Sequence, residues 1–444
     1  MVKGGKSFSV IVVLALVLSM GVMAVLMGSI VEANPGELHV GPGQSYATIQ
    51  AAIDAANDGD VIQVAQGTYY ENLNIGESLN VTIEGGWNVG FSLRTDDPSL
   101  TVVDGSNADR VFSICGFGAP SDVTIRNLTL QRGRTEQRGA CIHVSASNGN
   151  ISLTLIDLVL QDCDSTGNAG HGGALFLVSY ANQLLAHLEN VVIRRNHTTG
   201  QGGGISIWIS GIDDHYPDGA VYIVNCLIYD NIADSTGGGL AIGSYENGSA
   251  HVVLVNNTIA NNTSNNTYWG GGGVAIRDDH GSMTTAQIYN SIICGNTANP
   301  GADVTITTNT TNSSTEIHYS DIGEVNHMSG TYNNSNLIST TPMFLDPAND
   351  DYQLTVGSPC IDAGTIAVPN PPGLPATDIE GNPRVLDSAP DIGVYEVPEW
   401  DPWAYDGNSD GVIQKMEAIH AIQDYFSHKV SKAQAIEVIM LYFG

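Results

Sequence analysis

Across the middle of the chain, apolar and polar positions alternate in short runs that halt at a polar residue, run again and halt again. The phrases "VTIRNLTLQRG", "LTLIDLVLQDC", "AHLENVVIRRN", "VYIVNCLIYDN", "VVLVNNTIANN" and "AQIYNSIICGN" all follow this plan. Two-residue alternation marks strands, and nothing inside the repeats has a helical period. Aligned, the first polar column reads Asn127, Asp157, Asn190, Asn225, Asn256 and Asn290, with Ser320 as a seventh member; successive separations are 30, 33, 35, 31, 34 and 30 residues. The second column reads Gly133, Cys163, Asn196, Asn231, Asn262 and Asn296.

After a variable loop, glycines lead into a third strand: "GGALFLV", "GGGISIW", "GGGLAIG" and "GGGVAIR". A period of this length made only of short strands predicts an all-β solenoid, a parallel β-helix in which each repeat is one coil. A single coil cannot bury its own apolar face; stacking does it. Equivalent columns then lie about 4.8 Å apart, so an inward asparagine at a bend can bond the amides above and below it, as in other stacked polar ladders. This meets the hydrogen-bonding needs of a tight buried corner.

The ends depart from the repeat. "SYATIQAAIDAANDGDVIQVAQGTY" predicts a helix with Ile49, Ala52, Ile53 and Ala56 on one side, covering the open first coil. From Thr341 the repeat gives way to "SPCIDAG", "TDIEGNPR" and "PDIGVYE", read as a closing cap over 341–397. Residues 34–340 form the β-helix with its N-terminal helix cap, 398–405 a linker, and 406–444 a helical hairpin. In the hairpin, Ile419, Ile422 and Phe426 share one face, while Ile436, Ile439, Met440 and Phe443 share another. Residues 1–33 carry Lys3 and Lys6 before a long apolar run, the layout of a signal peptide cleaved after Ala33 or of a retained N-terminal anchor. Both place the rest of the chain outside the cell, and membrane contact follows only from retention.

Charge narrows the partners. Forty-six acids against 15 bases give a formal charge of −31, and all five lysines lie near the ends. Such a surface disfavours nucleic acid and suits divalent cations. "DGNSDGVIQKME" supplies the chemistry for one. Asp406, Asn408, Asp410, the Val412 carbonyl, Gln414 and Glu417 fall at positions 1, 3, 5, 7, 9 and 12 of an EF-hand loop, with Gly411 at the turn, so the cation expected is Ca2+.

The other candidates are weaker. Asp213, Asp214 and His215, and Asp278, Asp279 and His280, set acid pairs beside histidine in loops after third strands. Such carboxylates suit hydrolysis of a glycosidic bond or a lyase calcium site, although loop composition alone accounts for them. A lyase base would come from Arg132, Arg138, Arg194, Arg195 or Arg277; Arg132 and Arg195 share a column with Asp162 between them, which fits a charge ladder. Cys141, Cys163, Cys226 and Cys294 occupy four different columns, an arrangement that favours buried thiols over disulfides between stacked neighbours.

"ATIQAAIDAANDGDVIQVAQGTYYENL" resembles the N-terminal cap of the pectin-lyase-like right-handed parallel β-helix superfamily, and the glycine-led coils resemble polymorphic outer-membrane-protein repeats. "GHGG" at His171 resembles part of a polygalacturonase signature, without the paired aspartates beside it. "SPCIDAG", "TDIEGNPR" and "PDIGVYE" resemble choice-of-anchor surface proteins, and the tail resembles a dockerin with one loop in place of two. These resemblances imply an extracellular or cell-surface β-helix that binds a glycan or surface protein, with a cohesin-like partner for the tail. The other function the scaffold accommodates is a polysaccharide lyase or glycoside hydrolase.

Overall fold

The computed structural model describes residues 36–444 except 77, 169, 213–216, 268–269, 280, 299–302, 398–404, 409–410, 427–431 and 444. The N-terminal segment 1–33 and nearly all of the linker therefore lie outside the described residues. From Glu37 the chain winds into a parallel β-helix. The first sheet has 18 strands, the second nine and the third five, and every strand pairing within these sheets is parallel.

One coil shows the plan. Ile205–Ser210 lies on the second sheet, Asp218–Val224 and Leu227–Tyr229 form two short runs of the first, and Ile232–Ala233 belongs to the third. The register keeps like above like: Leu177, Ile207, Ile242, Ile276 and Ile306 form one column, and Leu188, Ile223, Leu254, Ile288 and Ile317 another. All ten are buried in one continuous core. Helix Ile49–Ala55, capped by the Thr48 side chain, sends Ile49, Ala52 and Ile53 into that same core.

The glycines that introduce each second-sheet strand are needed sterically. Gly172, Gly202, Gly237 and Gly271 have φ of 65°, 71°, 69° and 73°, in the left-handed region. A Cβ on them would stand 2.3, 2.1, 2.5 and 2.7 Å from the carbonyl oxygen three residues on.

The two polar columns serve different sides of the wall. At the second corner Asn196, Asn231, Asn262 and Asn296 point inward, and each Nδ2 donates to the next Oδ1 at 2.9, 2.9 and 3.0 Å until Asn296 reaches Asp303 at 2.9 Å. The first column differs from the inward expectation. Asn127, Asp157, Asn190, Asn225, Asn256 and Asn290 all have positive φ, between 49° and 58°, which turns their side chains outward. They still bond one another, Asn190 to Asp157 at 3.0 Å and Asn225 to Asn190 at 3.1 Å. The inward line is the next residue along: the Cys226 N–H donates to Asn257, that of Asn257 to Ser291, and that of Ser291 to Ser320. Ser320 thus belongs to the inward line, and Tyr319 (φ 48°) is the seventh outward corner.

Residues 341–397 run along the flank of the coils. The outward column needs a cover there, because it is flanked by the apolar side chains of Val192, Leu227, Tyr229, Ala260 and Ile292. Phe344, Tyr352, Leu354, Cys360, Ile392 and Val394 supply it. Asn225 donates to Thr377 O, Asn256 to Asp391 O and Gly393 O, and Asn290 to Thr365 O. At one end Asp350 faces Arg194 at 3.3 Å and Arg195 at 3.5 Å. At the centre Arg384, 1 % exposed, bonds Glu396 at 2.9 Å, the carbonyls of Gly393 and Val394, and Asn225. The segment is a strap, held by the residues of "TDIEGNPR" and "PDIGVYE".

Cys141 and Cys163 form a disulfide, contrary to the expectation of thiols. Their Cα atoms are 5.6 Å apart because one ends a corner and the other opens a second-sheet strand, so the bond joins different columns. Cys115, Cys226, Cys294 and Cys360 are free.

Helices Lys415–Phe426 and Lys432–Phe443 form the tail hairpin. Its core is Ile413, Ala418, Ala421 and Val438, so the packed faces carry small residues. Ile422, Ile436, Met440 and Phe443, expected on packed faces, are exposed. Among the described residues no helix is long and apolar enough to cross a membrane.

Candidate functional site

In the tail loop the Asp406 carboxylate accepts the Gly411 N–H at 2.7 Å, closing the turn that Gly411 makes at φ 76°. The Glu417 carboxylate sits back over the loop, accepting the N–H groups of Gly407 and Gln414 at 2.8 and 2.7 Å. The carboxylates at loop positions 1 and 12 are thus both spent on amides of the loop itself, and the donors the loop offers are all oxygens, the chemistry a hard cation takes. Asn408, the exposed Val412 and Gln414 belong to the same loop, and Asp410 lies outside the described residues. Among the described residues no three His, Cys, Asp or Glu side chains converge as a metal-binding group.

Asp213, Asp214, His215 and His280 also lie outside the described residues. Asp278 is a buried staple to the next coil: its carboxylate accepts the Asn309 N–H, the Thr310 hydroxyl at 2.8 Å and the Ser313 hydroxyl. At 3 % exposure it does not face solvent. Asp279 is tied through its backbone to Ser244 and Ser282. The structure therefore does not bring Asp278 into an open acid pair. Arg132 pairs with Asp104 and Arg195 with Asp162, so these arginines brace corners.

The most distinctive outer surface lies on the second sheet and was not read from the sequence. Outward positions alternate there with the core columns, which places His143 beside Phe176, and Val178, Trp208 and Gly243 in one row. Gly243 matters: a Cβ on it would lie 2.6 Å from Tyr245 Oη, so its absence lets the Tyr245 ring fold over Trp208 at 4.5 Å. His171 meets Trp208 edge-on at 5.1 Å, and His143 stacks on Phe176 at 5.8 Å. The Arg138 guanidinium lies 5.2 Å from the ring centres of both Phe176 and Trp208 and donates to Tyr180 Oη at 2.6 Å.

Burial and the nearby arginine charge push both His143 and His171 down to about 4, so both are neutral at pH 7. His171 Nδ1 accepts the Gln201 N–H at 3.1 Å. The cluster thus joins neutral imidazoles and aromatic rings to one guanidinium, that of Arg138. The signal that reveals it is parity, since Phe176 and Trp208 occupy the outward phase of strands whose other phase is aliphatic except for Ser179.

The first sheet offers a more polar outer face, where His187 Nε2 lies 3.1 Å from Glu189 and 6.4 Å, ring to ring, from Tyr222. A cavity of about 420 Å³ runs along its leading edge past Asp122, Ser152, Leu185 and Asp218.

No family model and no curated protein matches the chain. Among solved structures, a pectate lyase, Pel9A, is 16 % identical over 82 % of this chain and 97 % of its own, at a TM-score of 0.44. The pectin methylesterase from Aspergillus niger is 17 % identical over 70 % of this chain and 88 % of its own, at 0.30. The pectin methylesterase PemA from Erwinia chrysanthemi is 14 % identical over 67 % and 82 %, at 0.27. The coils themselves are established by strand register; these likenesses supply neither a substrate nor a reaction.

Proposed function

We propose that this chain is an exported or cell-surface β-helix that binds an extracellular glycan, or a glycan-bearing surface protein, without turning it over. The observation that carries this reading is the part-exposed aromatic pair of Trp208 and Tyr245 on consecutive coils of the second sheet, packed on each other beside the buried Phe176. Sugar rings present flat C–H faces, and aromatic rings spaced along a rigid rod match them with little ordering cost. The strap and the N-terminal helix close and brace the rod. The winding is right-handed, as the resemblance implies. In the tail, Asp406, Asn408, Asp410, Val412, Gln414 and Glu417 hold Ca2+, which orders the hairpin. Its exposed Ile422, Ile436, Met440 and Phe443 then form an interaction face for a cohesin-like partner.

The test is binding and turnover on one panel. The full chain is titrated with soluble polysaccharides by calorimetry, and the same polymers are followed for new reducing or unsaturated ends. The reading expects saturable binding that Trp208→Ala weakens, with no change in chain length. Turnover of any bound polymer would replace it with a lyase or hydrolase function.

A further inference from the structure

Two of the free cysteines meet where the strap lies on the coils. In strand Ile292–Cys294 the middle residue, Ile293, belongs to the central core, so Ile292 and Cys294 face outward, under the strap. Cys360, from "SPCIDAG", is fully buried in a cluster with Ile292, Leu354 and Ile392, and the half-buried Cys294 packs against that cluster. Both thiols border one carboxylate. Asp321 pairs with Ile292, at the far end of that short strand, in the next coil, and its Oδ2 accepts the Cys360 S–H at 3.4 Å. The charge of Asp321 bears on both thiols, and that of Cys294 on Cys360. The other two free cysteines are placed differently: Cys115 lies beside Ser113, and Cys226 donates to backbone carbonyls inside the core.

We propose that Cys294 and Cys360 are a disulfide site that fastens the strap to the coils, with a small-molecule disulfide such as oxidised glutathione as the oxidant. Cys294, the more exposed of the two, gives its proton to solvent and attacks one sulfur of the small disulfide, whose S–S bond breaks and releases one thiolate. Asp321 takes the proton of Cys360, whose sulfur then attacks Cys294 and expels the second thiolate. Both thiolates leave as thiols once protonated, so two protein thiols are oxidised while one external disulfide is reduced. The Cys141–Cys163 bond already calls for an environment that holds such oxidants.

Burial sets the character of this bond. Helped by the nearby carboxylates, it raises both thiols well above the ordinary range, Cys294 to about 12. Scarce thiolate makes formation slow, and a reduced pair that gains nothing from ionising leaves the bond hard to reduce. Its place in the strap matters as well. The Cys360 carbonyl accepts the Ile392 N–H at 2.9 Å, so one covalent link at "SPCIDAG" also holds "PDIGVYE".

The full chain, purified without reductant, is incubated with oxidised glutathione, unfolded in an alkylating reagent and mapped by mass spectrometry without reduction. The proposal expects a peptide pair joined through Cys294 and Cys360, with Cys115 and Cys226 alkylated. Hydrogen exchange at the Ile392 amide of the folded, oxidised chain should be about tenfold or more slower than in Cys294→Ala. That variant repeats Ala260 of the preceding coil and leaves Cys360 to be alkylated. Alkylation of both Cys294 and Cys360 in the parent, arrest at a glutathione adduct on Cys294, or a joined pair whose Ile392 exchange matches that of Cys294→Ala overturns the proposal.

Discussion

Replacing Asn231 with alanine tests the internal ladder where it is most tightly enclosed. Asn231 Oδ1 accepts the Asn196 backbone N–H at 3.1 Å and Asn196 Nδ2 at 2.9 Å. Its own Nδ2 donates to Ile193 O, Tyr229 O and Asn262 Oδ1 at 2.9, 3.0 and 2.9 Å. The substitution leaves the Asn196 N–H buried without an acceptor, at about 1–3 kcal/mol, and removes several further bonds at about 1 kcal/mol each. Some of the carbonyls keep other partners, so the sum is roughly 4 kcal/mol. The control is Asn190→Gly, on the outward column: glycine accepts the positive φ there, and Asn225 keeps its bond to Thr377 O, so the loss is about 1 kcal/mol or less. Denaturant unfolding gives the two values, and hydrogen exchange at the Asn196 amide localises the first. Equal losses for the two variants, or an unchanged exchange rate at Asn196, would refute the division into inward and outward columns.

Four further outcomes follow from the structure. Burial, helped by the charge of Asp391, raises Glu396 to about 8, and burial, helped by the charge of Asp362, raises Asp391 to about 6. The folded state therefore holds protons that the unfolded chain has released, and stability falls as pH rises from about 4.5 to 8; Glu396→Gln should flatten the upper part of that slope in thermal scans at several pH values. Asp350→Ala removes the carboxylate facing Arg194 and Arg195 and should raise protease cleavage within 341–360 before any coil unfolds. Opening the Cys141–Cys163 bond, which closes a 22-residue separation, should cost roughly 3 kcal/mol in denaturant titrations of the double serine variant. Glu417→Gln should abolish a calcium-dependent gain of helical circular dichroism that the parent shows.

The coils were legible because their period is long, regular and free of helical spacing, and because each glycine run marks the same left-handed corner. Which of two adjacent polar residues turns inward was not legible. Asn256 and Asn257 are chemically identical, and only the positive φ of the first decides that it faces the strap. The disulfide escaped for a related reason, since aligning columns tests vertical neighbours and Cys141 meets Cys163 across a corner. The strap motifs stood out, but their place did not, because a polar cluster such as Asp378, Arg384 and Glu396 gives no sign of whether it covers an end or a flank. In the hairpin the large apolar residues drew the eye while Ala418, Ala421 and Val438 did the packing. The turn of the 406–417 loop was legible from spacing, because Asp406 and Gly411 are local in sequence. The aromatic stripe was not: Phe176, Trp208 and Tyr245 come from three coils and meet only through register.

Hydroxyl-radical footprinting of the full chain, with and without a bound polysaccharide, asks most directly which flank of the rod is the recognition surface. The account predicts protection of Tyr180, Trp208 and Tyr245, with His187, Tyr222 and His251 on the first sheet unchanged. Protection of the first-sheet set with the second sheet still reactive would contradict it.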